Sequence, residues 1–327
     1  MEVALHDPER GYYRAGASTI GERGDFSTVA TLHPALGRAV ASWLGERRSE
    51  VARRDVSHAI EIGGGGGHLA ASILRSLGVR RRLGLRYHIV EASPRLREAQ
   101  RRKLRRYRVR WHETMEAALR AARGVALVFS NELPDAFPCH QLAWHDGRWL
   151  EVRIALDGER VVQTLGPVSD PRLLSDLVEL PPGSNGLRVE VHLPYFDWMR
   201  IWSSKLERGA ILTIDYGTAP GEARGRRGGT LRAYFRHQVL RGLPVFGRPG
   251  MQDITADVSF ADLERWGAKL GLESRGLVPL RDFLLRHAPE LEREAEREPA
   301  LEYVLHPTGA GGAYRVLEQT AGPPRHR

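Results

Sequence analysis

Cysteine is almost absent from this sequence of 327 residues, which contains Cys139 and no other. A single cysteine cannot build a disulfide framework or a zinc site held by several cysteines, and it suits a reducing compartment. Long hydrophobic runs are missing too, since no apolar stretch reaches the roughly 18 to 20 residues of a membrane-spanning helix. The opening residues MEVALHDPER show neither the apolar core of a signal peptide nor an arginine-rich transit pattern. We therefore expect a cytoplasmic protein without a membrane span.

Lysine is also scarce, with three lysines among 49 basic residues against 40 acidic ones, for a formal charge of +9. Such an arginine bias is typical of a GC-rich, bacterial genome. The dense clusters at 79–86 and 101–110 favour either a solvated helix face or a patch for an acidic partner. No nucleic-acid-binding motif accompanies them, so we do not expect a nucleic-acid partner. The histidines show no metal-ligand spacing, and no metal site is expected.

Strand and helix patterns alternate along much of the chain, which is typical of a parallel sheet covered by helices on both faces. Ser93 and Pro94 form a helix-start signal, because serine caps a helix well and proline fits its first position. The sequence therefore predicts an α/β fold with a Rossmann-like, mostly parallel sheet. Strands are predicted at 58–62, 85–92, 109–113, 124–132, 210–217, 271–280 and 312–320, and helices at 68–78, 94–107, 196–209 and 259–271.

Two segments depart from this alternation. Residues 139–165 contain short alternating strands with turn signals at Asp146-Gly147 and Asp157-Gly158, which predicts an antiparallel insertion. Residues 218–257 are expected to be a second, irregular insertion. The domain prediction is an N-terminal cap or lid segment at 1–50, followed by one Rossmann-like domain at 51–327 that carries both insertions.

A glycine-rich loop between a predicted strand and a predicted helix is the strongest local signal. Its pattern Glu61-x-Gly63-x-Gly65-x-Gly67 fits the acidic-x-Gly-x-Gly-x-Gly loop of class I methyltransferases. Glycines let the backbone approach a ligand and adopt positive φ, and the helix that follows presents free N–H groups to an anion. Gly65-x-Gly67-x-x-Ala70 also satisfies a relaxed dinucleotide fingerprint, so the loop alone leaves a nicotinamide cofactor open.

Glu91 stands at the end of the next predicted strand. In a nucleoside-binding α/β fold, an acidic residue at this place accepts hydrogen bonds from both ribose hydroxyls. NAD and S-adenosylmethionine both carry that ribose, so Glu91 supports the class of site without separating the two cofactors.

The stretch SNELPDAFP (130–138) follows the fourth predicted strand, where an open α/β sheet binds its substrate. Asn131, Glu132 and Asp135 place an amide and two carboxylates in this stretch, and paired carboxylates suit a cationic guanidinium. A simple helix-capping role for Asn131 and Asp135 is the plainer interpretation. N-methylation of a nucleobase is a third, although the stacking aromatic residue which that chemistry uses is missing.

Beyond these local signals, the chain resembles the MidA-like family of methyltransferases, relatives of the mitochondrial complex I assembly factor that methylates an arginine. The resemblance extends over most of the chain, and two of its stretches are long and unusual in composition. The matching stretches are DPERGYY (7–13), GDFST (24–28), the glycine loop, VEASPRLREAQ (90–100), NELPDAFP (131–138), IDYG (214–217), GTLRAYFRH (229–237) and PGMQDITADVSF (249–260).

The resemblance implies a class I methyltransferase that uses S-adenosyl-L-methionine and acts on a protein arginine, for example in a respiratory complex I-type subunit. A non-catalytic assembly chaperone of the same fold and an NAD-dependent oxidoreductase are the alternatives. The implied roles are a donor-covering segment at Gly24, Asp25 and Phe26; donor binding by Glu61, Gly63, Gly65, Gly67, Glu91 and Asn131; positioning of the acceptor nitrogen by Glu132 and Asp135; and an acceptor pocket with Tyr216, His237 and Asp253.

Overall fold

The computed structural model describes residues 1–16, 28–51, 57–175 and 184–322. The chain forms two compact units. The sheet unit contains Ala17–Leu133, Met199–Tyr216 and Glu264–Arg327, and the insertion unit contains Met1–Gly16, Pro134–Trp198 and Gly217–Leu263. Residues 1–50, predicted as one cap segment, are thus shared between the two units. Among the described residues, no helix combines the length and the apolar character that a membrane crossing requires.

Strands and helices occur in both units. The strands are β1 Ser57–Ile62, β2 Leu85–Val90, β3 Val109–His112, β4 Val125–Asn131, β5 His140–His145, β6 Arg148–Asp157, β7 Arg160–Gly166, β8 Leu187–Val191, β9 Arg208–Thr218, β10 Arg226–Arg227, β11 Arg232–Phe235, β12 Gln238–Arg241, β13 Asp253–Thr255, β14 Val258–Ser259, β15 Glu273–Pro279 and β16 Tyr314–Ala321. The α-helices are α1 Glu2–His6, α2 Val29–Leu32, α3 Ala35–Val51, α4 His68–Ser76, α5 Gly78–Leu83, α6 Pro94–Lys103, α7 Met115–Ala122, α8 Arg172–Ser175, α9 Leu193–Trp202, α10 Phe260–Lys269, α11 Leu280–His287, α12 Leu291–Ala295, α13 Pro299–Leu305 and α14 Ala310–Ala313.

The sheet unit is built on one sheet with the strand order β15–β16–β9–β4–β1–β2–β3. Strands β1 to β4 and β9 run parallel, whereas β16 is antiparallel to both β9 and β15. This arrangement confirms the predicted α/β class with a mostly parallel sheet. The strand order reverses between β1 and β4, and ligands of open α/β sheets bind beyond the carboxyl ends of the strands at such a reversal. The residues that follow β1, β2 and β4 therefore define the place to look for a site.

Burial explains why the central strands read as continuous apolar runs. In β4, every residue from Val125 to Ser130 is buried, and in β1 only His58 is partly exposed. Helices cover such a parallel sheet on both faces, so neither face alternates with polar residues. Helix α3 contributes the fully buried Trp43 to the same core.

Helix α6 begins where the sequence predicts. The Ser93 side chain accepts a hydrogen bond from the backbone N–H of Leu96, and Pro94 occupies the first turn. The cap satisfies one of the N–H groups that a helix start leaves without an intrahelical partner. The start of α6 fixes the direction in which the chain leaves β2, directly after Glu91.

The insertion unit contains a five-stranded antiparallel sheet with the order β10–β8–β5–β6–β7 and a three-stranded sheet with the order β12–β11–β13. The turn between β5 and β6 uses Asp146 and Gly147, both with positive φ, as two-residue hairpin turns require. The predicted antiparallel insertion at 139–165 is thereby confirmed.

Two expectations for other segments are wrong. The stretch 218–257 is not irregular, because it contains β10 to β13. Its hairpin turn is formed by Arg236 and His237, whose φ angles are 49° and 62°; neither is a usual turn residue, so the sequence gives no turn signal there. The helix expected at 196–209 is instead Leu193–Trp202, followed by a short 3₁₀ turn at Ser203–Lys205.

Candidate functional site

The glycine loop connects β1 directly to α4 in the sheet unit. Gly63, Gly65 and Gly67 have φ angles of 68°, 49° and 76°, in the left-handed region that favours glycine, and the two glycines between them lie outside it. Backbone N–H groups in such alternating conformations converge into an anion-binding concavity. Gly67 is also the N-cap of the nine-residue helix α4, and its cap has no side-chain hydrogen bond. The loop and helix start therefore fit a carboxylate ligand.

Open space lies beside Gly65. Apart from its neighbours in the chain, a Cβ atom on Gly65 would meet no atom of the described residues within 4 Å, whereas one on Gly63 would lie 3.1 Å from Cδ1 of Leu133. Glycine is needed at position 65 because of its φ angle and not because of packing against the protein. The expected donor carries a carboxylate at its methionine end, and this uncrowded backbone fits the approach of that group.

Glu91 follows β2 and is buried, with 8% of its surface exposed. Its Oε1 atom accepts a hydrogen bond of 2.9 Å from the backbone N–H of Ser93, and its Oε2 atom accepts one of 3.1 Å from Nε2 of Gln100. These bonds fix the plane of the carboxylate at the strand end, where a hydrogen-bond acceptor for the ribose hydroxyls is expected. The sequence gives Gln100 no role, because a glutamine on a helix nine residues away carries no signal of this contact.

Glu61, the acidic residue of the loop pattern, is buried inside β1. Its carboxylate accepts a hydrogen bond of 2.8 Å from the Tyr87 hydroxyl. The pKa of Glu61 is raised to about 7, mainly by burial. The charge of Glu91 adds to this rise, and the hydrogen bond from Tyr87 opposes it. The structure thus places Glu61 against β2, close enough to Glu91 for their charges to interact.

Asn131 is the last residue of β4 in the same unit, and Glu132 follows it. The Nδ2 atom of Asn131 donates a hydrogen bond of 3.0 Å to Oε1 of Glu132. The Oδ1 atom of Asn131 is buried and has no hydrogen-bond partner among the described residues, which fits an amide that serves a ligand. Glu132 has a φ angle of 53°, a conformation that non-glycine residues seldom adopt.

Asp135 belongs to the insertion unit, where it is buried together with Asp253. The Thr255 hydroxyl donates a hydrogen bond of 2.8 Å to Oδ2 of Asp135, and the Tyr13 hydroxyl donates one of 2.7 Å to Oδ1 of Asp253. Burial raises the pKa of Asp253 to about 7; the Tyr13 hydrogen bond opposes the rise, and the charge of Asp135 adds to it. The sequence anticipates Asp135 and Asp253 but not Tyr13 and Thr255.

The other predicted site residues are placed as follows. Tyr216 lies on β9 and packs edge-on against Tyr314 in the sheet unit, with ring centroids 5.4 Å apart. His237 is exposed in the β11–β12 hairpin turn of the insertion unit. Gly24, Asp25 and Phe26 lie outside the described residues, so their role as a donor-covering segment stays a prediction.

The basic cluster at 101–110 lies on and after α6. Arg101, Arg102 and Arg106 are exposed. A cleft of about 610 Å³ in the sheet unit is lined by Arg105, Arg106 and other residues, and none of the described lining residues carries a carboxylate. Exposure fits a solvated helix face, and the cleft fits an acidic partner, so both interpretations stay predictions.

Comparison with known proteins supplies the family. A model of a family of S-adenosyl-L-methionine-dependent methyltransferases matches residues 37–278, which is most of the chain. The match includes the glycine loop, Glu91 and the stretch from Asn131 to Asp135. It confirms the resemblance that the sequence motifs indicate.

Curated relatives share about a quarter of the residues. The mitochondrial protein arginine methyltransferase NDUFAF7 homolog of Drosophila melanogaster is 28% identical in an alignment of length 289, which covers 80% of this chain and 63% of the relative. The corresponding Danio rerio protein is 26% identical in an alignment of length 289, which covers 81% of this chain and 66% of the relative. The chain therefore spans less than two thirds of the length of these relatives.

Two crystal structures of Burkholderia thailandensis proteins share the fold over nearly the whole chain. One, bound to S-adenosyl-homocysteine, superposes with a TM-score of 0.85 at 28% identity and covers 98% of this chain and 86% of that one. The second superposes with a TM-score of 0.80 at 26% identity, with the same coverage. The family match and the S-adenosyl-homocysteine bound in the first structure confirm the expected cofactor, S-adenosyl-L-methionine.

Proposed function

The chain belongs to this family of S-adenosyl-L-methionine-dependent methyltransferases, and we propose that it methylates an arginine side chain of a protein. The curated relatives are protein arginine methyltransferases by name, at 28% and 26% identity. A respiratory complex I-type subunit is the acceptor that the resemblance suggests. The arginine assignment also needs acidic groups on this chain that suit a guanidinium.

The strongest support for the proposal is the strained backbone conformation of Glu132. It stands at the carboxyl end of β4 with a φ angle of 53°, and holding a non-glycine residue there costs on the order of 1–3 kcal/mol. A protein keeps such a strained backbone where the surrounding contacts fix the residue, and with it the direction of its side chain. Here that side chain is a carboxylate which also accepts a hydrogen bond from Asn131. A carboxylate held in one orientation suits a planar guanidinium.

Asp135 is the second proposed acceptor-binding residue. Its assignment comes from its chain position, three residues after Glu132, and from its burial with a hydroxyl donor on one oxygen. A guanidinium is protonated at any ordinary pH, so carboxylates bind it through charge-assisted hydrogen bonds.

The main task of the proposed site residues is to position the methyl donor and the acceptor. S-adenosyl-L-methionine, when bound, supplies a methyl group on a positively charged sulfur. We propose that the glycine loop and Glu91 hold the donor, while Glu132 and Asp135 hold the acceptor nitrogen in line with that methyl group. Alignment and exclusion of water supply most of the rate in a transfer of this kind.

The acceptor class is tested with two matched peptide libraries, one with a central arginine and one in which lysine replaces it. The protein is incubated with methyl-labelled S-adenosyl-L-methionine, and modified peptides are sequenced by mass spectrometry. Methylarginine in the first library and background labelling in the second are expected. Labelled lysine, or labelling confined to other side chains, contradicts the arginine assignment.

A further inference from the structure

Gln100 lies on α6, is fully buried, and is the last residue of the stretch 90–100. Its side-chain amide makes three hydrogen bonds in the sheet unit. Nε1 of Trp111 donates to Oε1 of Gln100 at 2.9 Å, and Nε2 of Gln100 donates to the backbone carbonyl of Gly65 at 2.9 Å and to Oε2 of Glu91 at 3.1 Å. One amide thus joins the glycine loop, the strand-end carboxylate and the tryptophan of β3.

The chemistry of its partners fixes the orientation of this amide. An indole N–H is only a donor, so the carbonyl oxygen of Gln100 faces Trp111. The two amide hydrogens then face two acceptors, the Gly65 carbonyl and the Glu91 carboxylate. A glutamate in this place has no hydrogen for either acceptor unless it is protonated, and a leucine bonds to none of the three.

The glycine loop also packs closely on this amide. A Cβ atom on Gly64 would lie 3.2 Å from Nε2 of Gln100, and one on Gly67 would lie 3.5 Å from its Cα atom. Gln100 therefore limits where the loop can lie, by contact and by its bond to Gly65. Through its other hydrogen it limits the orientation of Glu91, whose second oxygen is held by the Ser93 backbone.

We propose that Gln100 is a positioning residue for the donor site, which sets the glycine loop and Glu91 in one mutual geometry. The inference rests on the proposed roles of the loop and of Glu91 in holding the donor. A carboxylate accepts hydrogen bonds through both of its oxygens, so a Glu91 that Gln100 and Ser93 hold in one orientation presents these oxygens to the ribose hydroxyls in one geometry. Without Gln100, the donor has to order these groups on binding, and its affinity falls.

The first test compares Gln100→Leu with Gln319→Leu, which removes a second buried glutamine of the sheet unit. Affinity for S-adenosylhomocysteine is measured by calorimetry, and thermal unfolding is measured in parallel. Gln100→Leu is expected to weaken binding at least tenfold, and Gln319→Leu less than threefold. If the wild-type protein does not bind S-adenosylhomocysteine, the proposed donor site is wrong. If wild type and Gln100→Leu bind it with equal affinity, only the inference about Gln100 is overturned.

A double-mutant cycle tests whether Gln100 acts through Glu91. Gln100→Leu is introduced into wild type and into Glu91→Ala, and the loss of affinity is compared. We expect at least a tenfold loss in wild type and no more than about a threefold loss without Glu91. The same loss in both backgrounds means that Gln100 does not act through Glu91, and it overturns the proposed mutual geometry of the loop and the carboxylate.

A pH profile of Gln100→Glu supplies a readout that packing alone does not move. The new carboxyl group faces Glu91, and two adjacent carboxylates resist ionising together. As the pH falls from 8 to 5.5, protonation restores one donor toward Glu91, so the affinity of this variant is expected to approach that of wild type. A constant ratio of the two affinities across this range contradicts the proposed geometry.

Discussion

The Tyr13 hydroxyl donates a hydrogen bond of 2.7 Å to Oδ1 of Asp253, across 240 residues of chain. Burial raises the pKa of Tyr13, and the charge of Asp253 adds to this, so the hydroxyl stays a donor. The pKa of Asp253 is itself raised to about 7, mainly by burial. Within the insertion unit, the N-terminal segment is therefore tied to a carboxyl group that is half ionised near neutral pH.

Asparagine at position 253 should alter how stability depends on pH. An aspartate with a folded-state pKa of about 7 and an unfolded value of 3.8 binds its proton more tightly in the folded protein. Its contribution is complete below about pH 4 and is lost as the pH rises to 7, in total about 4 kcal/mol. Asp253→Asn removes this loss, so its free energy of unfolding should fall less than that of wild type between pH 5 and pH 8.

Denaturant unfolding at both pH values measures the effect. Asp157→Asn, at an exposed position in the insertion unit, serves as control and should follow wild type. An Asp253→Asn curve parallel to wild type would mean that Asp253 ionises normally.

Histidines 58, 88 and 112 should produce the opposite pH trend. Their ring nitrogens form a chain across β1, β2 and β3, with separations of 3.0 Å and 2.8 Å. Burial lowers the pKa of His88 to about 3, with its two histidine neighbours adding to the shift. The buried His88 binds no proton in the folded protein, whereas the unfolded chain accepts one, so stability is lost as the pH falls below about 6.5. For His88 this loss is roughly 1.4 kcal/mol per pH unit.

The His88→Gln variant tests this contribution, because glutamine keeps a donor and an acceptor but does not titrate. Between pH 7 and pH 5, the free energy of unfolding of this variant should fall less steeply than that of wild type. The difference in slope should approach about 1.4 kcal/mol per pH unit, which corresponds to one bound proton. His145→Gln, at an exposed position, should keep the wild-type slope. An unchanged slope in His88→Gln contradicts a buried neutral histidine.

Glycine and alanine at position 132 should separate strain from function. Glu132 has a φ angle of 53°, which glycine adopts without strain and alanine does not. We expect Glu132→Gly to be more stable than Glu132→Ala by about 1 kcal/mol and both variants to lose turnover. Denaturant unfolding and labelled methyl transfer provide the two readouts. Alanine matching glycine in stability would mean that the backbone strain is absent.

Amides in place of the proposed acceptor-binding carboxylates should reduce turnover more than donor affinity. Glu132→Gln and Asp135→Asn keep size and shape but remove charge, and a charge-assisted contact is worth about 1.5–3 kcal/mol. This corresponds to a roughly ten- to hundredfold loss of rate if it acts in the transition state. If the two residues only cap a helix, stability falls by about 1 kcal/mol or less and turnover is kept.

Labelled methyl transfer and donor affinity are measured for each amide variant. Glu113→Gln removes an exposed carboxylate of the sheet unit and is the control. Wild-type turnover in both amide variants removes the carboxylates from the mechanism. A loss of donor affinity as large as the loss of rate would place Glu132 at the donor instead.

Local signals made the core of the fold and the donor loop predictable. An apolar run before the glycines and a helical period after them locate β1 and α4, and the Ser93 cap locates α6. Each of these signals involves residues within one turn or one strand. The positive φ angles of Gly63, Gly65 and Gly67 follow for the same reason, since glycine is the residue that tolerates them.

Contacts between distant residues were not predictable. The bonds of Gln100 to Gly65 and of Tyr13 to Asp253 join residues that are 35 and 240 positions apart, and no periodicity reports such pairs. The sequence does not predict the Arg236–His237 turn, because neither residue is a usual turn former. Glu132 is a candidate from the sequence because of its carboxylate, while its strained backbone is visible only in the structure.

Calorimetric titration with S-adenosyl-L-methionine tests the central claim most directly, that the glycine loop forms the site of a methyl donor. Wild type should release or take up heat and gain thermal stability, as a ligand of the folded state requires, whereas NAD should do neither. Gly65→Val should unfold cooperatively but bind no donor, because a β-branched residue resists a φ angle of 49° and occupies the open space beside the loop. Absence of heat and of a thermal shift in wild type, or unchanged affinity in Gly65→Val, would contradict the account.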